Sequence, residues 1–226
     1  MMAVLQRVLK IALGLLLAAV MIWCALYAMG ALDNRVVQDV EDFPDGFGDT
    51  VSGTLVGGAV TGQGKIVYGS GDVYEGSFKD GVYEGEGRFT AAAGWSYVGG
   101  FSDGLPNGKG TYTDRDGDVY DGMFERGVMS GEGTLTDPAG GWAYAGGWDA
   151  GALTGQGVFT YADGSVYEGG FANGYAEGEG SYRDASGAWS YTGGFVGGKF
   201  HGHGTLTYAN GETLETDWTD GAPGEY

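Results

Sequence analysis

From residue 51 onward, large apolar or aromatic residues recur two positions apart, with glycine between them and polar residues in the alternate places. The stretch Tyr74–Phe78, YEGSF, shows the pattern in its shortest form. Side chains of a strand alternate between its faces, so this spacing predicts half-buried strands rather than helices. Glycine inside a strand normally weakens it, so its regular placement here needs a reason.

Counting Tyr as position 1, the frame begins at Tyr74, Tyr97, Tyr120, Tyr144, Tyr167 and Tyr191, at intervals of 23, 23, 24, 23 and 24 residues. Position 3 is Gly in all six repeats, from Gly76 to Gly193, and position 5 is Phe or Trp, from Phe78 to Phe195. Position 8 is Gly, from Gly81 to Gly198; positions 12 and 14 are Gly, from Gly85 and Gly87 to Gly202 and Gly204. Position 16 is Phe89, Tyr112, Leu135, Phe159, Tyr182 or Leu206. Val51, Gly53, Leu55, Gly58, Gly62, Gly64 and Ile66 extend the frame upstream with aliphatic residues. Leu214, Trp218 and Gly221 extend it downstream through half a repeat. Self-similarity at such a period predicts a solenoid with atypical ends.

Positions 1, 3 and 5 share one strand face, as do 12, 14 and 16. The missing side chains at 3, 12 and 14 then leave troughs in which neighbouring rings can lie flat. Gly at position 8 belongs to the hairpin turn, where positive φ is needed. A second regularity overlies the first: Trp95-Ser-Tyr97, Trp142-Ala-Tyr144 and Trp189-Ser-Tyr191 alternate with Asp72-Val-Tyr74, Asp118-Val-Tyr120 and Ser165-Val-Tyr167. The Trp residues fall on every second inter-repeat loop, about 19 Å apart at four strands per pair of repeats. They either pack over the loops or form an aromatic edge for a partner.

The Y-x-G-x-F-x-x-G-x-x-x-G-x-G pattern resembles the MORN (membrane occupation and recognition nexus) repeat from about Val51 to Gly221. The resemblance implies an all-β fold, an elongated single-layer antiparallel β-solenoid of stacked hairpins with about 7.5 repeats. Some MORN proteins carry a separate catalytic domain; none follows the repeats here, so no enzymatic activity carries over.

The N-terminus differs in kind. Ile11–Leu32 is 22 residues without a charge, long enough at about 1.5 Å per residue to cross a bilayer core of about 30 Å. Arg7 and Lys10 precede it and Asp33 is the first charge after it. The predicted order is a cytoplasmic stub (1–10), a transmembrane signal anchor (11–32), an acidic linker (33–50) and the repeats (51–226) on the outer side. The alternative is a cleaved signal peptide and a secreted protein, but the apolar run exceeds the usual signal core. All 30 acids lie from Asp33 onward, with 9 of the 11 Lys and Arg. That balance excludes nucleic acid as a partner and opposes anionic headgroups.

Candidate chemistry is thin. Asp114, Asp116, Asp118 and Glu125 approximate a calcium loop, but its turn glycine is displaced. His201 and His203 are too few to close a zinc site. Glu84/Glu86 and Glu177/Glu179 lie along strands rather than across a cleft, as glycoside hydrolysis requires. The sequence therefore predicts no catalytic, metal or cofactor residues, and a non-enzymatic membrane-anchored scaffold. It would bind protein partners at the membrane through Trp95, Trp142 and Trp189 with Tyr97, Tyr144 and Tyr191. The unfinished C-terminal half-repeat offers an edge for self-association. A lipid- or polysaccharide-binding module is the alternative.

Overall fold

The computed structural model describes residues 37–45 and 48–223, and every regular element among them is a strand. The predicted membrane helix, 11–32, lies outside the described residues; among those described no helix is long and apolar enough to cross a membrane. The chain divides into two compact units at Val128/Met129. The first contains β1 (Val37–Pro44), β2 (Thr50–Val56), β3 (Ala59–Val67), β4 (Val73–Lys79), β5 (Val82–Thr90), β6 (Ser96–Ser102), β7 (Leu105–Thr113) and β8 (Val119–Glu125). The second opens with β9 (Val128–Asp137) and β10 (Trp142–Asp149), followed by β11 (Ala152–Thr160), β12 (Val166–Ala172) and β13 (Tyr175–Arg183). It ends with β14 (Trp189–Val196), β15 (Lys199–Tyr208), β16 (Thr213–Thr219) and β17 (Ala222–Pro223). Within each unit every strand pairs antiparallel with the next.

Each hairpin turns on positions 7 and 8, whose φ values run from 47 to 61° and from 78 to 88°. Two successive positive φ angles define the turn whose twist matches the strands it joins, and glycine at position 8 meets that demand. The second strand then departs from a flat ladder. In the β4–β5 hairpin Gly76 pairs with Gly87 and Phe78 with Tyr83, so Ser77 alone faces Glu84, Gly85 and Glu86. The same shift recurs in the hairpins β2–β3, β6–β7, β10–β11, β12–β13 and β14–β15. Gly at position 12 sits in this bulge with φ between 60 and 80° throughout. Its role is conformational, not the trough the alternation suggests. A bulge bends the bulged strand, and here it turns residue 10 back over residue 1.

Position 14 keeps the expected role. A Cβ on Gly157 would lie 2.6 Å from both Cε2 and Oη of Tyr144, and one on Gly180 would lie 2.7 Å from Tyr167 Oη. The ring of position 1 therefore lies flat on a glycine floor, with residue 10 as its cover. Tyr83 stacks on Tyr74 at 3.5 Å and 3°, and Phe200 on Tyr191 at 3.9 Å and 13°. Residue 5 closes the cluster edge-on, as Phe78 does against Tyr74 at 4.9 Å. This layout accounts for a buried core in a fold built of one strand after another.

Two boundaries differ from the sequence reading. The expected acidic linker contains β1, which pairs with β2 from Val37↔Val56 to Pro44↔Thr50. Its acids hid it, because Asp and Glu are poor strand formers in general yet suit an edge strand. Asp39 accepts a hydrogen bond from Thr54 Oγ1 at 2.7 Å, which ties an acid into the pairing. At the other end the half-repeat completes its turn through Asp220 and Gly221 and begins a second strand, with Trp218↔Pro223 and Thr219↔Ala222 paired.

Candidate interaction surface

The residues singled out in the sequence divide sharply by burial. Tyr97, Tyr144 and Tyr191 are each 0% exposed. Their hydroxyls donate to the carbonyls of Gly100, Gly147 and Gly194 at 2.9, 3.0 and 3.1 Å. Tyr74, Tyr120 and Tyr167 make the same bond, to Ser77, Met123 and Gly170. The acceptor in each case is position 4, the residue opposite the bulge. Burial raises the pKa of Tyr97, Tyr144 and Tyr191, with nearby Glu86, Glu132 and Glu179 adding to the shift. These rings are structural, so the part of the expected surface assigned to Tyr97, Tyr144 and Tyr191 is corrected: they have no area to offer a partner.

Trp95, Trp142 and Trp189 are half-buried. Each lies against the position-16 ring of a neighbouring strand: Trp95 on Phe89 at 5.0 Å, Trp142 on Phe159 at 5.6 Å and Trp189 on Tyr182 at 5.2 Å, all stacked. The indoles therefore pack over the loops, Trp95 also meeting Tyr112 at 5.8 Å and Trp189 meeting Phe200 at 6.1 Å, while each residue keeps some solvent exposure. At the alternating loops Asp72, Asp118 and Ser165 are buried instead. Asp72 accepts from Ser70 Oγ and from the Ala92 amide, both at 2.8 Å, tying its loop to the next one. In the second unit the exposed margin gains further rings. Tyr161 lies 4.7 Å from Phe159 and 6.0 Å from Tyr182, and Tyr208 pairs in register with Trp189 and is 43% exposed.

The polar candidates serve the framework. Asp114 Oδ1 accepts the amides of Asp116 and Asp118 at 2.8 and 2.9 Å, which folds the loop around the carboxylate. Glu84 and Glu177 accept turn amides of the next hairpin, from Asp103 at 3.2 Å and Gly197 at 3.0 Å. Glu86 and Glu179 are solvent-exposed. His203 bridges two exposed carboxylates on β16, Glu215 at 3.0 Å and Asp217 at 3.3 Å, and these bonds raise its pKa. His201 is exposed on the same strand. Among the described residues no three His, Cys, Asp or Glu side chains gather as a metal site would require. Sequence reasoning missed position 10, which is Tyr83, Pro106, Met129, Leu153, Ala176 or Phe200. Its signal was its parity with positions 12, 14 and 16 and its unbroken apolarity.

The geometry repeats where family similarity repeats. The MORN repeat model matches residues 74–96, 97–119, 120–142, 144–166, 167–189 and 191–213, more than half of the 226 residues. The chain belongs to the MORN-repeat family. The hairpin of β2 and β3 lies outside those matches but has the same turn, bulge and position-12 conformation. No curated protein sequence matches the chain. Among solved structures it is similar to the TCP domain of Drosophila melanogaster SAS-4 (dCPAP), in complex with a proline-rich motif of Ana2 (dSTIL). That likeness is 13% identical, covers 68% of this chain and 83% of that one, and has a TM-score of 0.43. The TCP10 domain of Danio rerio CPAP in complex with a STIL peptide is 13% identical over 81% of this chain and 99% of that one, with a TM-score of 0.20. At these values neither likeness bears on function.

Proposed function

We propose that this protein is a non-enzymatic interaction module, held at a membrane by Ile11–Leu32 with its repeats on the outer side. Its partners are proteins, engaged along the loop edge that carries Trp95, Trp142 and Trp189. The observation that supports this reading most is the half-buried Trp at every second loop, stacked on a neighbouring ring where the alternate loops bury Asp or Ser instead. Trp combines large contact area with few rotatable bonds, which suits it to hot spots. The membrane placement rests on the uncharged 22-residue run after Arg7 and Lys10. A scaffold role follows from coupling that anchor to a repeat array with no framework residue left over for chemistry.

The test is crosslinking from native membranes with the wild-type chain and with Trp95, Trp142 and Trp189 replaced together by Ala. Each hot-spot truncation should cost about 1–3 kcal/mol of partner binding. Capture should fall while a melting curve of the variant stays cooperative. Capture unchanged by the triple substitution refutes the Trp edge. Protease applied to intact cells should remove the repeats; repeats that survive until lysis refute the orientation. Vesicles with phosphoinositide should not bind, since multivalent anion capture needs clustered cations within a Debye length of about 8 Å.

A further inference from the structure

The two units differ in the loop that follows each Trp. Beside Trp95 that loop starts Asp114-Arg115-Asp116. Arg115 lays its stem against Gly94, where an added Cβ would meet Arg115 Cγ at 3.1 Å, and its Nε lies 3.8 Å from Asp116. The loop after Trp142 starts Tyr161-Ala162-Asp163, and the loop after Trp189 starts Tyr208-Ala209-Asn210. A Cβ on Gly141, the residue before Trp142, would meet only Ala162 backbone, at 3.9 Å. The second unit has thus exchanged the arginine for alanine and the first aspartate for tyrosine. Beside Trp142 it has kept the carboxylate that Arg115 pairs with, now as Asp163.

Trp142 and Tyr161 flank the buried Phe159, and both remain half-buried. Asp163 is exposed, and hydrogen bonds from Ser165 hold its carboxyl below the usual range, so it is ionised at neutral pH. The surroundings are strongly acidic. From Met129 to Pro223 the chain has Arg183 and Lys199 as its only Lys or Arg, against twelve Asp and Glu. A planar guanidinium stacks on aromatic faces and pairs with a carboxylate at once, whereas an ammonium is a compact, strongly hydrated charge.

We propose that Trp142, Tyr161 and Asp163 receive an arginine from an extended basic segment of a partner protein, and that Trp189 and Tyr208 receive a second arginine of the same segment. This rests on the Trp edge being the interaction surface. The chain places an arginine of its own in the corresponding loop of the first unit, Arg115, with its stem against Gly94 and its Nε beside Asp116. β10 and β14 are four strands apart, so the two Trp lie about 19 Å from each other. An extended chain covers that distance in about six residues at about 3.3 Å each, which sets the spacing of the two arginines.

The test uses the full-length chain in detergent micelles and a fluorescein-labelled Gly/Ser peptide with two arginines six residues apart, read by anisotropy. Binding should be at least about tenfold weaker when both arginines are lysine. It should also weaken at least about tenfold when only one arginine is kept, because the second contact is intramolecular once the first has formed. The decisive variant is Ala162→Arg with Ala209→Arg, which keeps every ring and gives both loops the residue found at Arg115. It should reduce peptide binding at least about tenfold with an unchanged melting temperature. The proposal is overturned by absent peptide binding, by equal binding of the lysine peptide, or by full binding to the double-arginine variant. Binding of a neutral oligosaccharide or an anionic vesicle in place of the peptide overturns it as well. Trp-dependent capture of a partner from membranes without peptide binding removes only the arginine assignment. Failure of both removes the Trp edge itself.

Discussion

The two conserved-looking glycines of each second strand are predicted to fail in different ways when given a methyl group. Gly155 and Gly157 are two residues apart in β11 and both become Ala in the comparison. At Gly155 a Cβ meets nothing within 4 Å, but φ is +65°. The cost is the left-handed conformation of an L-residue, about 1–2 kcal/mol. At Gly157 the Cβ lies 2.6 Å from Cε2 and Oη and 2.8 Å from Cζ of Tyr144. The ring cannot yield cheaply. Its hydroxyl is bonded to Gly147 O at 3.0 Å, and Trp148 and Phe171 meet it edge-on at 5.4 and 5.0 Å. Overpacking costs about 1–3 kcal/mol. If the ring moves far enough to break its bond, the orphaned carbonyl adds about 1–3 kcal/mol more.

Gly157→Ala should therefore cost about 2–6 kcal/mol in all, against about 1–2 for Gly155→Ala. For a chain of this size that corresponds to a fall in melting temperature of about 4–24 °C against about 2–8 °C. Circular dichroism melts of the two variants give the comparison directly. Tyr144→Leu combined with Gly157→Ala should recover part of the loss, because the double variant removes the clash, and the shortfall from additivity measures the contact. A milder effect at Gly157 than at Gly155 refutes the glycine floor, and so does strict additivity with Tyr144→Leu.

Alkaline titration tests the buried hydroxyls. Burial pushes Tyr68 and Tyr167 up to about 12 from 10.0, so the stability they contribute is complete below pH 10 and is lost as pH climbs towards 12. Tyrosinate absorbance should accordingly rise together with unfolding, and early ionisation of most tyrosines in a still-folded chain contradicts their burial. For His203, hydrogen bonds to Glu215 and Asp217 raise the folded pKa above 6.5. Its pairing thus supports β16 fully below pH 6.5 and fades as pH rises through the folded value. The His203 ring-proton NMR midpoint should fall when Glu215→Gln or Asp217→Asn is introduced, and a wild-type midpoint at or below 6.5 tells against the bridge.

Much of this framework is legible in the sequence because strand alternation acts at fixed parity. Tyr144, Gly146 and Trp148 announce one face, and the spacing to Gly151 announces a turn. Parity alone cannot tell two causes apart. Gly155 and Gly157 share a face in the pattern, yet one answers to backbone conformation and the other to the Tyr144 ring. Position 10 stayed hidden because Tyr83, Pro106, Leu153 and Ala176 look unrelated, and the bulge that brings Tyr83 over Tyr74 and Phe200 over Tyr191 is not written in the alternation. A single layer of strands read from the alternation leaves one face open, which is why Tyr97, Tyr144 and Tyr191 look available to a partner. Bending each second strand back on the first closes that face.

That closure determines where recognition can reside. Positions 1, 3, 5, 10, 12, 14 and 16 are committed to the floor, ring, cover and bend of each hairpin, and 7 and 8 to its turn. The framework consequently repeats from hairpin to hairpin and cannot distinguish one partner from another. The loops between hairpins lie outside that framework and are held by contacts of their own, such as Asp72 to the Ala92 amide and Trp95 to Phe89. They are also where the repeats differ most in chemistry: buried Asp72 against half-buried Trp95, Asp114-Arg115 against Tyr161-Ala162. A change in these loops leaves the glycine floor and its hydrogen bond untouched. The same loops carry the half-buried Trp, Trp95 in the first unit and Trp142 and Trp189 in the second. On the proposed reading, specificity would be a property of which loops hold an aromatic ring, which hold a carboxylate, and which contain an arginine of their own.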